Sequence, residues 1–355
     1  MTEIQERVDS VKKTITLKDV GKAVGISAAA VSMALNDSPR ISKKTKDGVL
    51  QAAWKLGYVP SSAGRSLRLD KSDALVLVVP HSSQHVFGHN YFMRVLTGMS
   101  GVCHKRETQI IISTSPEEAS GISVYEKVVR SGRADGAIVT SAAVWDKNIE
   151  KLIASGIPTA LIGNFPHLAN VISIGIDDVS ASDLITTHLM QVHHRKALVH
   201  VAGPLDHQAG IDRKIGFIKA LGGVKNVNID SIIEGDFSEE SGVAAIQKLI
   251  RQKIPFDGIV FANDEMAYGG LTEMKARGIN VPGQVSIVGF DDFGISRLAS
   301  PAITTINVPA VEMAALATEK LFEKLNGTEI GSPRLQLPVS LVIRESCGCS
   351  PKGGK

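Results

Sequence analysis

The sequence predicts an α/β protein with a small helical domain at the N-terminus and a larger core in which two doubly wound parallel sheets form two lobes. Two observations lead to this prediction. From residue 74 to residue 290, short apolar runs of strand length alternate with stretches of helical periodicity, the pattern of parallel sheets covered by helices. Before residue 72 the periodicity is helical only. A length of 355 residues suits such a division.

The segment Thr16–Leu35 has the pattern of two short helices that meet at a sharp turn. Gly25 lies between them and can adopt the left-handed backbone that such a turn requires. Ser27 follows at an N-cap position, where its hydroxyl can accept from an exposed N–H of the next turn. This pattern is typical of a helix-turn-helix, whose second helix lies in a DNA major groove. The apolar positions that define the two helix faces are Leu17, Val20, Ala23, Val24, Val31 and Leu35.

A third helix is predicted within Ser42–Pro60, with Ser42 as its cap. Its apolar residues are available to close a small core with the first two helices, namely Val49, Leu50, Ala53 and Trp54. Residues 1–72 hold 13 Lys/Arg and 7 Asp/Glu, whereas the remainder holds 26 and 29. A basic module on a slightly acidic body predicts that phosphate contacts are concentrated at the N-terminus.

The composition is that of an ordinary soluble globule, with 43% hydrophobic and 21% charged residues. No apolar run approaches the roughly 20 residues of a membrane span. The polar N-terminus, MTEIQERVDSVKK, lacks the apolar stretch of a signal peptide. We therefore expect a cytoplasmic protein with no membrane partner.

Seven apolar runs are predicted as buried strands: ALVLVV (74–79), QIIIS (109–113), GAIVT (136–140), TALIG (159–163), ALVHV (197–201), GIVFA (258–262) and VSIVGF (285–290). Helical periodicity is found at 91–104, 180–192, 238–252 and 265–277. These strands are too many for one comfortable sheet, which favours two lobes with a cleft between them. Ligands of open α/β sheets bind beyond the carboxyl ends of the strands, so the loops there are the candidate site.

The run DVGKAVGIS…VSMALNDSPRISKKT…AAWKLGYVPSSAGRSLR resembles the DNA-binding headpiece and hinge of the lactose-repressor (LacI/GalR) family, and the similarity continues to the C-terminus. The resemblance implies a helix-turn-helix headpiece with a hinge helix, followed by a core like the two-lobed periplasmic sugar-binding proteins. The expected regions are an N-terminal extension (1–13), the helix-turn-helix domain (14–60), the hinge helix and linker (61–71), the ligand-binding and dimerisation core (72–346) and a tail (347–355). One lobe would comprise 72–162 and 292–326, the other 163–291 and the end of the chain.

By this resemblance, Ala28, Ala29 and Met33 point at base edges. Small apolar side chains can contact thymine methyl groups but cannot form bidentate hydrogen bonds to bases, so we expect direct readout that is weak or biased toward A·T pairs. Arg65 and Leu67 lie in the hinge, where Leu67 matches the leucine that wedges into the minor groove. Phosphate contacts are expected from Thr16, Ser27, Ser32, Asn36 and the basic residues near Lys43 and Lys44.

The resemblance also implies a small-molecule effector in the cleft. Arg213 matches the family arginine that grips the effector, Asp291 matches an aspartate that accepts from it, and Asn263 matches a cleft asparagine. Tyr91 and Phe92 could stack on a sugar ring, and Asn164 stands near the position where many members carry an aspartate. Carbohydrate is the leading effector class, a nucleobase stays open, and so does the choice between inducer and co-repressor.

The histidines and cysteines lead to no predicted metal site. His81, His85 and His89 are spaced by four residues, but Gly88 and the preceding strand favour a loop over a helix face. Cys347 and Cys349 supply two thiolates, which do not complete a tetrahedral site, so we expect ordinary cysteines of the tail. We expect no cofactor.

The leading interpretation is a repressor that binds a pseudo-palindromic operator as a homodimer; an activator or dual regulator has the same architecture. An enzyme on the same core is a third interpretation. The sequence has no GxGxxG turn after the first strand, no GxxxxGK[ST] loop and no GxSxG elbow, so we expect no enzymatic activity.

Overall fold

The computed structural model describes residues 15–35, 37–58, 72–115, 123–223 and 228–350. The chain divides into two compact units, one up to Ser72 and one from Asp73 onward. The predicted N-terminal extension and hinge lie outside the described residues. No described helix is long and apolar enough to cross a membrane.

The N-terminal unit is the predicted helix-turn-helix followed by a third helix: α1 (Leu17–Val24), α2 (Ala28–Leu35) and α3 (Lys43–Leu56). Gly25 ends α1 with φ 74°. The Ser42 hydroxyl caps α3, accepting from the backbone N of Thr45 at 3.2 Å. The buried side chains are Val20, Val31, Ala34, Val49 and Ala53.

The prediction that Leu50 and Trp54 close this core is wrong. Leu50 is 53% exposed and Trp54 is 85% exposed. Val49 and Ala53 are four residues apart and share one face of α3, and that face alone packs against α1 and α2. Leu50 and Trp54, also four residues apart, lie on a face that is left open.

The core contains strands β1 (Ala74–Val79), β2 (Gln109–Thr114), β3 (Gly136–Thr140), β4 (Thr159–Ile162), β5 (Ile172–Ile176), β6 (Leu198–Ala202), β7 (Ile232–Glu234), β8 (Gly258–Phe261), β9 (Ser286–Val288), β10 (Thr305–Asn307), β11 (Arg334–Leu337) and β12 (Ser340–Val342). Its helices are α4 (Ser83–Gly88), α5 (Asn90–Lys105), α6 (Val124–Ser131), α7 (Lys147–Ala154), α8 (Asp178–Gln191), α9 (Gln208–Ala220), α10 (Glu239–Gln252), α11 (Asp264–Ala276), α12 (Ile295–Leu298) and α13 (Ala310–Leu325). The predicted α/β class is confirmed.

Two parallel sheets form the two lobes. The first has the order β11-β5-β4-β3-β1-β2, and the second has the order β7-β6-β8-β9. The antiparallel pair β10-β12 lies where the chain passes between the lobes. All seven predicted strands are present.

The first crossing between lobes differs from the expectation. Strand β5 pairs with β4 in the first sheet, Ala160 opposite Ile172, so the chain crosses after Ile176 and not after Ile162. The sequence ISIGI hides this strand because Ser173 and Gly175 interrupt its apolar run. A Cβ at Gly175 would clash with Asn164 Oδ1, so glycine leaves room for the Asn164 side chain at this position.

The predicted tail also starts too early. The Cys347 side chain is fully buried. The backbone N of Ile287 donates to the carbonyl of Ser346 at 3.0 Å, and the Ser286 hydroxyl donates to the carbonyl of Cys347 at 2.7 Å. The chain around Ser346 and Cys347 therefore packs beside β9 as part of the second lobe.

Candidate functional site

A cavity of about 980 Å³, including space that opens to solvent, lies between the lobes at the carboxyl ends of the strands. This is the position where ligands bind in open α/β sheets. All six residues that the sequence analysis proposed for the effector line this cavity: Tyr91, Phe92, Asn164, Arg213, Asn263 and Asp291. The wall also includes residues that the sequence analysis did not select, among them Asp178, His207, Phe237 and Glu265.

Arg213, on α9, is the centre of the polar wall. Its Nε donates to Asp178 Oδ1 at 2.9 Å, and its Nη1 donates to the carbonyl of Ala262 at 2.6 Å. Nη1 also lies 3.3 Å from Asp291 Oδ1. The guanidinium carbon sits 3.8 Å from the centroid of the Phe290 ring. The planar guanidinium is thus fixed by two carboxylates, a carbonyl and an aromatic face.

The charges around Arg213 are strongly coupled. Burial raises the pKa of Asp178 to about 6, although Arg213 opposes the shift. Burial also raises the pKa of Asp291, again against the effect of Arg213. For Arg213 itself, burial lowers the pKa, but Asp291 and Asp178 outweigh burial and leave it raised. One permanent cation therefore holds two carboxyl groups in a desolvated wall.

Asp291 reaches this position through an unusual backbone. Its φ is 107°, a region that few residues other than glycine adopt. The backbone is held there from both sides, because Asp291 N donates to the carbonyl of Ile306 at 2.8 Å and its carbonyl accepts from Val308 N at 3.1 Å. Such strain costs on the order of 1–3 kcal/mol and is common at binding sites, where it directs a side chain.

Asn263 and Asn164 have structural partners in the cleft. Asn263 caps α11, its Oδ1 accepting from Met266 N at 3.0 Å, and its Nδ2 donates to the carbonyl of Phe237 at 2.8 Å. Asn164 Nδ2 donates to the carbonyl of Ile176 at 2.8 Å, which fixes the first crossing between lobes. The two amides therefore shape the wall as well as line it.

Glu265 adds a third carboxyl group to the wall. It lies on α11 and accepts from Asn263 Nδ2 at 3.0 Å. Burial, followed by repulsion from Asp291, raises its pKa to about 7.

We expect Glu265→Gln to stabilise the protein at alkaline pH. Because the folded state binds the Glu265 proton more tightly than the unfolded state, rising pH reduces stability between the reference pKa of 4.5 and the folded value of about 7. Removing the ionisation should increase the free energy of unfolding by on the order of 1–3 kcal/mol at pH 8. The gain should vanish below about pH 4.5.

Urea unfolding of both proteins at a series of pH values measures this difference. The exposed residue Glu319, on α13, provides the matched control Glu319→Gln, which should show no pH-dependent gain. An equal gain for Glu265→Gln at acid and alkaline pH would contradict the assignment.

Aromatic rings form the apolar part of the cavity. The Tyr91 hydroxyl lies 2.7 Å from Thr140 Oγ1. Burial, only partly offset by that hydrogen bond, raises the pKa of Tyr91 to about 12, so the phenol is neutral. The Tyr91 and Phe92 rings pack edge to face with centroids 5.3 Å apart. Phe92 is only 2% exposed, so it supports Tyr91 more than it presents a stacking face.

The lobes touch directly at one side of the cleft. Val144 N donates to the carbonyl of Asp206 at 2.7 Å, and the His81 and His207 rings stack with centroids 5.4 Å apart. His81 is also anchored within the first lobe, with Nε2 2.8 Å from the carbonyl of Ser141. These contacts join the two lobes beside the cavity.

The three histidines at spacing four do not share a helix face. Residue 85 lies within the short helix α4, which the sequence analysis took for a loop, whereas His81 precedes the helix and His89 follows it. His89 lines the cavity, and His81 contacts the opposite lobe.

In the N-terminal unit, α2 carries the residues proposed to read bases. Ser27 caps α2, its Oγ accepting from Ala30 N at 3.2 Å. Ala29 is exposed, and Ala28, Ser32 and Met33 are partly exposed. Thr16 is exposed at the start of α1, where its backbone N donates to Asp19 Oδ2 at 2.9 Å. Of the other proposed DNA contacts, Lys43 and Lys44 are exposed at the start of α3, whereas Asn36, Arg65 and Leu67 lie outside the described residues.

The sequence analysis missed Asp178 and Glu265. Asp178 is the second residue after β5, and the interrupted apolar run of that strand concealed the carboxyl end at which Asp178 lies. Glu265 stands two residues after Asn263, so the sequence did carry a signal, because acidic residues in the first turn after a strand lie at the ligand edge of the sheet.

Two family models match the chain. Residues 16–61 match the model described as bacterial regulatory proteins, lacI family, and residues 186–347 match a periplasmic binding protein-like domain. Among curated proteins, the HTH-type transcriptional regulator CelR of Thermobifida fusca is 29% identical over 93% of this chain and 98% of that protein. Catabolite control protein A of Priestia megaterium is 27% identical over 94% of this chain and 99% of that protein.

Solved structures of transcriptional regulators also match this chain. The complex of the transcriptional regulator CelR with cellobiose matches with a TM-score of 0.72 and 27% identity, over 94% of this chain and 99% of that chain. A lac repressor dimer bound to operator and the anti-inducer ONPF has a TM-score of 0.81, and at 24% identity this likeness bears on the fold alone. The chain therefore combines a DNA-binding headpiece that matches the lacI family model with a periplasmic binding protein-like core that encloses a polar cleft, and its curated relatives CelR and catabolite control protein A are transcriptional regulators.

Proposed function

We propose that this protein represses transcription from a pseudo-palindromic operator as a homodimer, and that a neutral carbohydrate in the inter-lobe cleft controls its operator affinity. It would act in the cytoplasm and catalyse no reaction on its effector. The observation that carries the proposal is the Arg213 cluster, which lines the cavity with one fixed cation between carboxyl groups.

The charge of the cleft favours a neutral ligand with many hydroxyl groups. Asp178, Glu265 and Asp291 outnumber the single guanidinium of Arg213 among the carboxyl and guanidinium groups of the cavity wall described above. Carboxylates accept hydrogen bonds from hydroxyl groups, and Arg213 can donate to hydroxyl oxygens. An added phosphate would meet uncompensated negative charge. The cellobiose complex of CelR supports the same ligand class.

The headpiece supports recognition of duplex DNA by α2. Ala28, Ala29 and Met33 offer apolar contact to thymine methyl groups, so base discrimination would come mainly from A·T pairs and from DNA shape. A homodimer would present two such helices to two half-sites related by the same symmetry. Ligand and operator affinities would be coupled by about 1–3 kcal/mol, and the coupling must be reciprocal.

The test is equilibrium binding of the purified protein to a selected duplex pool at fixed salt, with a panel of neutral sugars, their phosphates and purines. We expect a palindromic site rich in A·T pairs, and one neutral sugar that shifts operator affinity about 5- to 150-fold. The phosphate of that sugar should act at least tenfold more weakly.

Each alternative outcome is informative. An invariant G·C-rich half-site would contradict the proposed readout by Ala28, Ala29 and Met33. A purine or a sugar phosphate as the strongest effector would contradict the neutral carbohydrate. Weak binding without sequence preference would contradict the proposal that the protein recognises a specific operator. Chemical conversion of a compound in the panel would indicate an enzyme. If binding of the protein to the selected site raises transcription, the protein is an activator and not a repressor.

A further inference from the structure

Four side chains that can bind a metal converge on the second lobe, away from the effector cleft. They are His188, His193, Cys347 and Cys349, and one ligand atom from each lies within 4.8 Å of the others. The two histidines are separated from the two cysteines by more than 150 residues of sequence. In the folded chain, the two histidines thus provide the two further metal ligands that are absent from the sequence near the cysteines.

Two distances within the cluster match those of a tetrahedral site. Cys349 Sγ lies 3.3 Å from His193 Nε2 and 3.7 Å from His188 Nε2. Metal–sulfur and metal–nitrogen bonds of about 2.3 and 2.0–2.1 Å place sulfur and nitrogen ligands about 3.5 Å apart on a tetrahedron. The imidazole rings of His188 and His193 meet edge to face, with centroids 5.0 Å apart and planes inclined by 74°, so both Nε2 atoms approach the same point from different directions.

The backbone prepares this arrangement. His188 stands in the last turn of α8, and His193 lies in the connection from α8 to β6. Gly348, between the cysteines, has φ 105°, which lets both sulfur atoms turn to one side. A Cβ at Gly348 would lie 3.1 Å from His193 Nδ1, so a larger residue would press on a ligand ring.

The Cys347 sulfur accepts two hydrogen bonds and, as a thiol, donates one to the carbonyl of Arg344 at 3.5 Å, a proton that metal binding would release. The Thr304 hydroxyl donates to Cys347 Sγ at 3.1 Å, and the backbone N of Cys349 lies 3.4 Å from the same sulfur. Donors aimed at sulfur are the outer shell that holds metal-bound thiolates in place. Cys347 is fully buried, and no disulfide joins it to Cys349.

We propose that His188, His193, Cys347 and Cys349 bind one Zn²⁺ ion in a closed structural site. Two thiolates with two imidazoles are the ligands of structural zinc, and four protein ligands leave no open position for catalysis. Binding would release the two thiol protons, while the imidazoles bind in their neutral form. The site precedes β6, at the amino ends of the strands and opposite the effector cleft, so the ion would fasten the C-terminal segment to the second lobe.

The experiment uses the full chain, produced without a histidine tag and kept reduced. We expect about one zinc per chain by elemental analysis after gel filtration. Replacement by Co²⁺ should give the intense visible absorption of tetrahedral cobalt with thiolate charge-transfer bands. A chelator should lower the melting temperature by at least about 5 °C, and added zinc should restore it.

Matched variants identify the ligands. Cys349→Ser and His193→Gln should lose the metal. Cys103→Ala removes a buried thiol of the first lobe, and His194→Asn removes an exposed neighbour with φ 54°, a conformation that asparagine tolerates. Both of these variants should retain one zinc per chain.

X-ray absorption of the native zinc protein decides the ligand set even if the ligand variants do not fold. Two nitrogen and two sulfur neighbours are expected. The proposal is overturned if the native chain stays metal-free at micromolar zinc, if its metal has only oxygen and nitrogen neighbours, or if the Cys349→Ser/His193→Gln double variant still holds one zinc per chain.

Discussion

Replacing Arg213 with methionine is expected to abolish the response to the effector and to destabilise the core strongly. Methionine keeps much of the volume of the side chain but leaves Asp178 and Asp291 buried without their cation. Breaking a buried ion pair by removing one partner costs about 3–5 kcal/mol. For a core of this size, the melting temperature should fall by roughly 10 °C.

The loss should depend on pH. The pKa of Asp178 is already raised to about 6 by burial against the opposing effect of Arg213, so without Arg213 its carboxyl group is protonated more readily. The folded variant then keeps the Asp178 proton at pH values at which the unfolded chain has lost it. The difference in free energy of unfolding between wild type and variant therefore grows as the pH rises through neutrality. Calorimetry at pH 5 and pH 8 measures this, with the larger deficit expected at pH 8.

Lys219→Met is the control for Arg213→Met, because it removes an exposed cation of the same helix, α9, that pairs with Asp183 at 2.8 Å. Its stability and effector response should match wild type. Operator affinity without effector should survive in Arg213→Met, because the headpiece is a separate compact unit. An Arg213→Met protein that still responds to the effector with near wild-type affinity would contradict the proposed role of Arg213.

Gly21→Ala is expected to reduce operator affinity at least tenfold, although alanine is a better helix former than glycine. A Cβ at Gly21 would lie 2.5 Å from the carbonyl oxygen of Ile26. This oxygen belongs to the turn between α1 and α2 and cannot move without displacing α2. Overpacking costs about 1–3 kcal/mol, more than the roughly 1 kcal/mol that alanine gains in helix propensity.

Gly25→Ala provides a matched comparison in the same turn. No atom lies within 4 Å of its Cβ position, so only the left-handed φ of 74° opposes the substitution, at a cost of about 1–2 kcal/mol. Because a local backbone adjustment can relieve that cost, we expect a smaller loss of operator affinity than for Gly21→Ala. Fluorescence anisotropy at fixed salt measures the loss, and calorimetry should give unchanged effector binding for both variants. A larger loss for Gly25→Ala would contradict the packing argument.

The sequence predicts the parts of this fold in which one local signal dominates. Continuous apolar runs such as 74–79 identify buried strands, and Gly25 between two amphipathic stretches identifies the turn of the headpiece. The cleft residues follow from the rule that loops at strand carboxyl ends converge, together with the family resemblance that selects Arg213 and Asp291.

Features that depend on distant partners could not be predicted in the same way. Strand β5 contains Ser173 and Gly175, and these residues fit a buried strand only because of partners elsewhere in the chain. Because the strand was not predicted, Asp178 beyond its carboxyl end was not selected as a cleft residue. The exposure of Trp54 depends on which face of α3 meets the other helices. The partners of Cys347 and Cys349 are histidines more than 150 residues away, and no spacing rule connects them.

The C-terminal part of the chain contributes to both sheets, and this affects how the protein folds during synthesis. Strand β11 covers the edge of β5, with Leu335 opposite Ile174, and Ser346 bonds to Ile287 beside β9. Neither lobe has these contacts until residues 334–347 have left the ribosome. The headpiece is contained in the first 72 residues and has no such dependence. Nascent chains will therefore carry a folded DNA-binding unit ahead of an unfinished core whose open strand edges invite aggregation.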